Sequence, residues 1–270
     1  MGDIWEHTLI VGTRAPPPRA ILKAFMKSLR ALPWSTVLPV PGPAILWLAA
    51  LASPLTAHAQ SACSSDGQRA PVALMERYIS ADCATCWSAT DTPKPPRGVL
   101  ALDWIVPGTQ GDDAPLSAAA TRDASARLQA RGLDAPQTTS VRTTRAEPAG
   151  ALRVRVAHGP AVNGYLGVSI ALRQASRLKA PVTAWLALVE TIPAGVEGSP
   201  VERNLVRNVL SPAWNGLDTL SKSQGGRRVE SRVMAIPAGA SPERLRVVGW
   251  VEDTQGHIRA IAQSRCAPTR

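Results

Sequence analysis

The four cysteines of this 270-residue chain, at positions 63, 83, 86 and 266, constrain its fold more than any other feature. Cys83 and Cys86 are separated by two residues, and they follow an apolar, strand-like segment at 72–79. Such a pair can close a small disulfide, relay electrons or provide half of a metal site. Which of these roles it has depends on the compartment and on the groups that face the pair.

The N-terminal segment indicates export. Residues 44–51 form an uncharged apolar stretch that follows two basic residues and precedes Ala-His-Ala, a small-x-small cleavage site ending at Ala59. This pattern is typical of a secretory signal, and the stretch is too short to span a bilayer. We therefore predict a signal peptide over 1–59, a true start near Met26, no membrane-spanning segment after cleavage and a periplasmic or secreted location. An uncleaved anchor is the alternative.

The even number of cysteines favours two disulfides, because an exported chain folds in an oxidising compartment. The close spacing of Cys83 and Cys86 favours a bond between them. This pairing leaves Cys63 to bond with Cys266 near the other end of the chain, where the disulfide would close a long loop.

Composition argues against two other kinds of function. The chain has a net charge of +10, but its basic residues are scattered and it contains only one Phe and two Tyr. Nucleic-acid binding requires a concentrated basic face with stacking aromatic residues, so we expect no nucleic-acid partner. A zinc site would need two ligands besides the cysteine pair, and His158 and His257 are each isolated in the sequence. We therefore expect no metal or other cofactor.

The pattern of apolar residues predicts an α/β fold, with a thioredoxin-like core over 60–180 and a strand-rich C-terminal extension over 181–270. Helices are predicted at 117–131, at 166–179 and, after a capping box that begins at Ser199, over the following residues to 210. Strands are predicted at 72–79, 98–106, 138–144, 152–156, 182–190, 229–236, 245–252 and 257–263.

A strand that runs directly into Cys-x-x-Cys suggests that the pair begins the next helix, where a thiolate is favoured. In this layout Cys83 attacks and Cys86 resolves. Pro136 precedes a predicted strand, where a cis-proline would pack against the pair, and an ordinary trans turn is the alternative. Asp82 opposes a thiolate by its charge. Glu76 either transfers a proton beneath the pair or, as we favour, pairs with an arginine in the sheet.

Residues 76–86, Glu-Arg-Tyr-Ile-Ser-Ala-Asp-Cys-Ala-Thr-Cys, resemble the Glu-Leu-Phe-Thr-Ser-x-Gly-Cys-Ser-Ser-Cys opening of a family of exported bacterial thioredoxin-like proteins of unknown function. Segments 99–104, 135–137 and 244–252 resemble later parts of the same family. The resemblance covers about 71–264. It implies a thioredoxin-like fold, although Asp82 stands where the family has glycine.

Two functional hypotheses remain open at this stage. In the first, the chain exchanges thiols and disulfides with envelope proteins through Cys83 and Cys86, with Pro136 opposite them. In the second, it is a non-catalytic binding or structural module of the cell envelope, and the bond between the two cysteines is a structural clip. Fold alone does not separate the two.

Overall fold

The structure is a computed structural model that describes residues 63–147, 152–173, 181–214 and 228–266. The predicted signal peptide over 1–59 lies outside the described residues. The strands and helices are β1 (Cys63–Ser64), β2 (Ala73–Ser80), α1 (Ala84–Trp87), β3 (Val99–Val106), α2 (Arg122–Ala130), β4 (Thr139–Arg145), β5 (Arg153–Val162), β6 (Tyr165–Arg173), β7 (Val182–Ile192), β8 (Arg203–Leu210), β9 (Ala213–Trp214), β10 (Arg228–Ala235), β11 (Leu245–Asp253), β12 (Ile258–Gln263) and β13 (Arg265–Cys266).

The predicted α/β fold with a thioredoxin-like core is wrong. Strands account for 51% of the described residues and helices for 12%, and the strands form two sheets in a β-sandwich-like arrangement. Two segments predicted as helices are strands, which removes most of the helical layer that such a core requires. The larger sheet takes strands from both sides of residue 180.

The smaller sheet has the strand order β10-β6-β5-β1-β13, and the larger has the order β12-β11-β7-β8-β3-β2-β4 with β9 beside β7. An apolar cluster from β5, β6, β7 and β11 joins the two sheets. Gly249 on β11 lets them approach closely, because a Cβ there would collide with Val156 and Ile170 of the smaller sheet. The core of the sandwich therefore lies between β5 and β6 on one side and β7 and β11 on the other.

Strand β6 shows why the helix predicted at 166–179 is wrong. Leu166, Val168, Ile170 and Leu172 alternate along the chain and are all buried against the neighbouring sheet. This spacing of two is the period of a strand with one buried face. The helical interpretation used the spacing from Leu166 to Ile170, which fits either period, and the part of the prediction after Arg173 falls on residues outside those described up to 180.

Strand β8 replaces the helix predicted after Ser199. The hydroxyl of Ser199 accepts a hydrogen bond from Arg203 Nε at 2.9 Å and donates one to the Val201 carbonyl at 2.8 Å, so it caps no helix. β8 lies between β7 and β3, and Leu205 and Val206 are buried on opposite faces. A strand buried on both faces has a nearly continuous apolar sequence, which the pattern of a short helix also fits.

The other predicted elements largely match the structure. β2, β3, β4, β7, β10, β11 and β12 lie within a residue or two of their predicted positions, and β5 extends six residues beyond its prediction. The helix predicted from Ser117 starts later, as α2, with the Thr121 hydroxyl accepting a hydrogen bond from Ala124 N at 3.2 Å. Residues 117–119 form a separate turn of 3₁₀ helix.

Helix α2 fixes one face of the larger sheet through a buried charge. Arg127 forms bidentate hydrogen bonds to both Glu76 and Glu252, at 2.7 to 3.1 Å. Its guanidinium carbon lies 4.6 Å from the centre of the Trp185 ring and 5.2 Å from that of Trp250. Burial opposes its charge, but the two carboxylates outweigh burial and raise the pKa of Arg127. Glu76 thus forms an ion pair with an arginine, which is the alternative that we favoured from the sequence.

Candidate functional site

Both predicted disulfides are present. Cys63 and Cys266 lie opposite each other on β1 and β13 and are bonded across a sequence separation of 203 residues. Cys83 and Cys86 are bonded across a separation of three, with their Cα atoms 5.4 Å apart. All four cysteines, which lie within the described residues, are therefore bonded, and none has a free thiol.

The Cys83–Cys86 pair lies just beyond the carboxyl end of β2, a strand whose residues are all buried. Cys83 immediately precedes α1, whose four residues form a single turn, and the Cys86 amide donates to the Cys83 carbonyl at 3.2 Å. The expected placement of the pair at the start of a helix is therefore correct, but the helix is too short to supply a substantial dipole. Any activation of a thiol must come from neighbouring side chains.

The two sulfurs have different surroundings. Cys86, together with Trp87, packs against an apolar cluster formed by Ile79, Ile105, Leu205 and neighbouring residues. Cys83 Sγ lies 3.5 Å from the exposed Thr85 hydroxyl and does not belong to that cluster. Both cysteines are partly exposed, and the attacking role of Cys83 and the resolving role of Cys86 stay predictions.

The carboxylate of Asp82, beside Cys83, binds the loop that follows β3, a contact that the sequence did not predict. The carboxylate accepts hydrogen bonds from Thr109 N at 2.7 Å, from Thr109 Oγ1 at 2.9 Å and from Gln110 N at 3.3 Å. Burial acts in the opposite direction, but these hydrogen bonds lower the pKa of Asp82. The carboxylate thus stays ionised beside the pair while it ties the loop after β3 to the end of β2.

Pro136 lies three residues before β4, and the Ala135–Pro136 peptide bond is trans. The cis-proline interpretation is therefore wrong. The segment still passes near the pair, because the Ser80 amide donates to the Thr138 carbonyl at 2.8 Å. Pro136 does not line the cavity that Cys86 borders, whereas Thr139 and Val141 of β4 do.

A buried cluster of two arginines and one aspartate lies beside the pair. Arg77 Nη2 donates to Asp103 Oδ2 at 2.6 Å, and Arg203 Nη1 donates to Asp103 Oδ1 at 3.2 Å. All three side chains are at most 1% exposed. Two buried guanidiniums thus share one carboxylate, and Asn204 N donates a further hydrogen bond to Asp103 Oδ2 at 2.8 Å. The cluster carries a net positive charge.

Arg203 connects this cluster to the cysteine pair. Its Nη2 donates to the carbonyls of Cys86 at 3.4 Å and Trp87 at 2.8 Å and to Thr92 Oγ1 at 3.0 Å, and its guanidinium carbon lies 5.0 Å from the Trp87 ring centre. Burial and then repulsion from Arg77 lower the pKa of Arg203, although Asp103 acts in the opposite direction. Arg203 thus holds the turn that carries Cys86 through its backbone carbonyls.

An open cavity of about 400 Å³ adjoins the pair. Four elements of the larger sheet and its loops converge there: β2, β4, β8 and the α1 turn with the segment that follows it. Its lining is formed by Arg77, Thr85, Cys86, Ala89, Asp91, Thr92, Pro93, Thr139, Val141 and Arg203. The cavity is large enough to hold a side chain or a small organic molecule beside Cys86.

The two histidines expected to be isolated differ in their surroundings. His257 is half exposed and lies 3.3 Å from Asp253, whereas His158 is buried opposite Cys63 on β5. The ligand atoms of His158, Cys63 and Cys266 lie within 4.8 Å of one another, but both cysteines are bonded to each other. As disulfide sulfurs they are not thiolate ligands, so this cluster holds no metal while the bond is intact.

The arginine–aspartate cluster is the feature that reasoning from sequence missed. Asp103 was a usable signal, because it is the one charged residue in the otherwise apolar segment 98–106 and a buried charge normally has a partner. The two arginines that pair with Asp103 lie 26 and 100 residues from it in the chain, so their meeting depends on the parallel order of β8, β3 and β2.

Within the described ranges, no helix is long and apolar enough to cross a membrane. No family model and no characterised protein matches the sequence, so the family resemblance remains a prediction. The chain is similar in structure to HBP35 of Porphyromonas gingivalis, with a TM-score of 0.43 and 12% sequence identity, over 74% of this chain and 76% of that one. This similarity is too low to assign a fold or a function.

Proposed function

We propose that this chain is an exported protein that exchanges thiols and disulfides with proteins of the cell envelope through Cys83 and Cys86. The observation that carries the proposal is the position of this bond. The bond lies beyond the carboxyl end of β2, both of its cysteines are partly exposed, and Cys86 lines an open cavity and accepts a hydrogen bond from buried Arg203 through its backbone carbonyl. These are the surroundings that make a cysteine reactive.

The reaction proceeds in two transfers. A client thiolate attacks Cys83 Sγ, the bond to Cys86 breaks, and Cys86 leaves as a thiolate in the turn whose carbonyls bind Arg203. A second client thiolate then attacks the client sulfur of the mixed disulfide and releases Cys83 as a thiolate. The client loses two electrons, the pair gains them, and the reverse sequence reduces a client disulfide.

A structural clip is the second candidate function. It is favoured by the several contacts that hold the turn in place: Arg203 on the Cys86 and Trp87 carbonyls, and Trp87 Nε1 donating to the Glu197 carbonyl at 2.8 Å. In this case the bond fixes the turn so that Trp87 covers the guanidinium. The bond would then resist reduction and have no client.

Trapping distinguishes the two functions. A Cys86→Ser variant retains the attacking sulfur and lacks the resolving one, so incubation with a disulfide-containing peptide should accumulate a mixed disulfide at Cys83, detected by mass spectrometry. The matched control is Cys83→Ser, in which the remaining sulfur packs against the apolar cluster and should react at least about tenfold more slowly. Equal and slow reaction of both variants would favour the clip.

A further inference from the structure

The buried charges beside Cys86 do not balance. Arg77 and Arg203 share the single carboxylate of Asp103, and all three are nearly inaccessible to water. The other ligands of the two guanidiniums are neutral: the carbonyls of Pro93 and Glu202 for Arg77, and those of Cys86 and Trp87, with two hydroxyls, for Arg203. Buried charges are normally compensated, yet among the described residues no carboxylate other than that of Asp103 forms an ion pair with either guanidinium.

The same two arginines line the cavity, so the uncompensated charge borders open space. Arg77 Nε is buried and has no hydrogen-bond partner among the described residues. This nitrogen is covered by protein atoms, so a ligand in the cavity interacts with Arg77 and Arg203 through their charge and not through Nε. Excess positive charge and open space therefore coincide at one wall of the cavity.

We propose that this cavity binds a carboxylate group, carried by a small organic acid or by a peptide, against Arg77 and Arg203. The nitrogens of Arg203 and both Nη atoms of Arg77 already donate hydrogen bonds within the protein, so the attraction of a carboxylate to this site comes from the excess positive charge of the cluster. The bound group would lie next to Cys86 at the cavity wall. Binding depends on the arginines and on the cavity, and it does not require the exchange reaction.

Charge favours a carboxylate over a phosphate. One carboxylate neutralises the single excess positive charge of the cluster, whereas a phosphate monoester with a charge of about −1.5 to −2 overcompensates it. Asp91 adds a negative charge to the cavity lining and is itself exposed, which penalises a doubly charged ligand further. Val141 and Pro93 supply an apolar wall for the body of the ligand.

The test uses matched ligands and the full chain with both disulfides intact, so that no exchange takes place. N-acetylalanine and N-acetylalanine amide have the same shape and differ in charge, and calorimetric titration should show about tenfold tighter binding of the acid. A second pair, acetyl-Ala-Glu-Ala-amide and its Gln analogue, places the carboxylate on a peptide side chain. If the acid binds more tightly in just one of the two pairs, that pair shows whether the cavity accepts the carboxylate of a small organic acid or that of a peptide side chain.

An exposed variant tests the location without disturbing the buried cluster. Asp91→Asn removes the competing charge from the cavity lining and should tighten binding of the acid about two- to fivefold at low salt, with less effect at high salt. Asp134→Asn, an exposed change outside the cavity lining, is the matched control and should have no specific effect.

Three results would overturn the proposal: equal binding of acid and amide in both pairs, tighter binding of inorganic phosphate than of either acid, or equal responses of the Asp91 and Asp134 variants. The result is independent of the exchange function. A protein that binds the acids but traps no mixed disulfide at Cys83 retains the anion site and loses the proposed reaction. A protein that traps a mixed disulfide at Cys83 but does not prefer the acids retains the proposed reaction and loses the anion site.

Discussion

The two disulfides of this protein differ in the length of the loop that each closes and in the sheet to which each belongs. Cys63–Cys266 joins neighbouring strands of the smaller sheet and closes a loop of some two hundred residues. Cys83–Cys86 closes a turn with a sequence separation of three beyond the carboxyl end of β2 in the larger sheet. In the chain-entropy model the first stabilises the fold by about 4–5 kcal/mol and the second by about 2 kcal/mol.

Their neighbours differ in the same way. Cys63 is buried and faces His158, a side chain whose Nε2 has no hydrogen-bond partner among the described residues. Cys83 and Cys86 are partly exposed and border a cavity and a cationic cluster. The comparison indicates that Cys63–Cys266 contributes more to the stability of the fold than Cys83–Cys86, which is the bond that borders the cavity.

Removal of each bond should give unequal losses of stability. The Cys63→Ser/Cys266→Ser variant should lose about 4–5 kcal/mol in the free energy of unfolding, because the unfolded chain is freed from a long closed loop. The Cys83→Ser/Cys86→Ser variant should lose about 2 kcal/mol. Urea unfolding monitored by tryptophan fluorescence measures both, and equal losses would contradict the division of roles.

The ion pairs beside the two bonds should differ as well. Asp103→Asn leaves Arg77 and Arg203 buried without their shared carboxylate and should destabilise the fold by about 3–5 kcal/mol. Asp66→Asn breaks the exposed pair with Arg155 near the N-terminal end of the smaller sheet, and should cost less than about 1 kcal/mol. Urea unfolding of the two variants provides the comparison, and similar costs would mean that the cluster beside Cys86 is not truly buried.

The sandwich and the cluster differ in how far sequence could predict them. β2 and β3 were predictable because eight consecutive residues in each are largely apolar and buried. β6 and β8 were not, because their apolar residues also fit helical spacing and only their neighbours in the sheets select the strand. The Arg77–Asp103 contact depends on strand register, which local sequence does not encode.

His158 makes the Cys63–Cys266 region sensitive to pH. Burial lowers the pKa of His158, and its Nδ1 lies 3.0 Å from the Gly159 carbonyl. As the pH drops below about 6.5, His158 is protonated in the unfolded chain but stays neutral in the folded chain. The free energy of unfolding therefore falls as the pH drops below that value. His158→Gln should flatten this dependence between pH 7 and pH 5 in thermal unfolding. An unchanged slope would show that other groups cause it.

Asp82→Asn should have the smallest effect, on the rate at which Cys83 reacts. The variant removes a negative charge beside Cys83 and keeps an oxygen that can accept from Thr109. The pKa of the Cys83 thiol should then fall, and alkylation of the reduced protein by iodoacetamide at pH 7 should quicken about two- to fivefold. Thermal unfolding of the same variant is the control, because it shows whether the loop at Thr109 stays bound. Slower alkylation of Cys83 with an unchanged unfolding midpoint would contradict the prediction.

The most direct test of the division between the two bonds is the reduction potential of each. The protein is equilibrated in thiol–disulfide buffers of graded potential, quenched with an alkylating reagent and analysed by peptide mass spectrometry, which resolves Cys83–Cys86 from Cys63–Cys266. We predict a potential well above about −300 mV for Cys83–Cys86 and one below about −300 mV for Cys63–Cys266. A Cys83–Cys86 bond that resists reduction as strongly as Cys63–Cys266 would contradict the account.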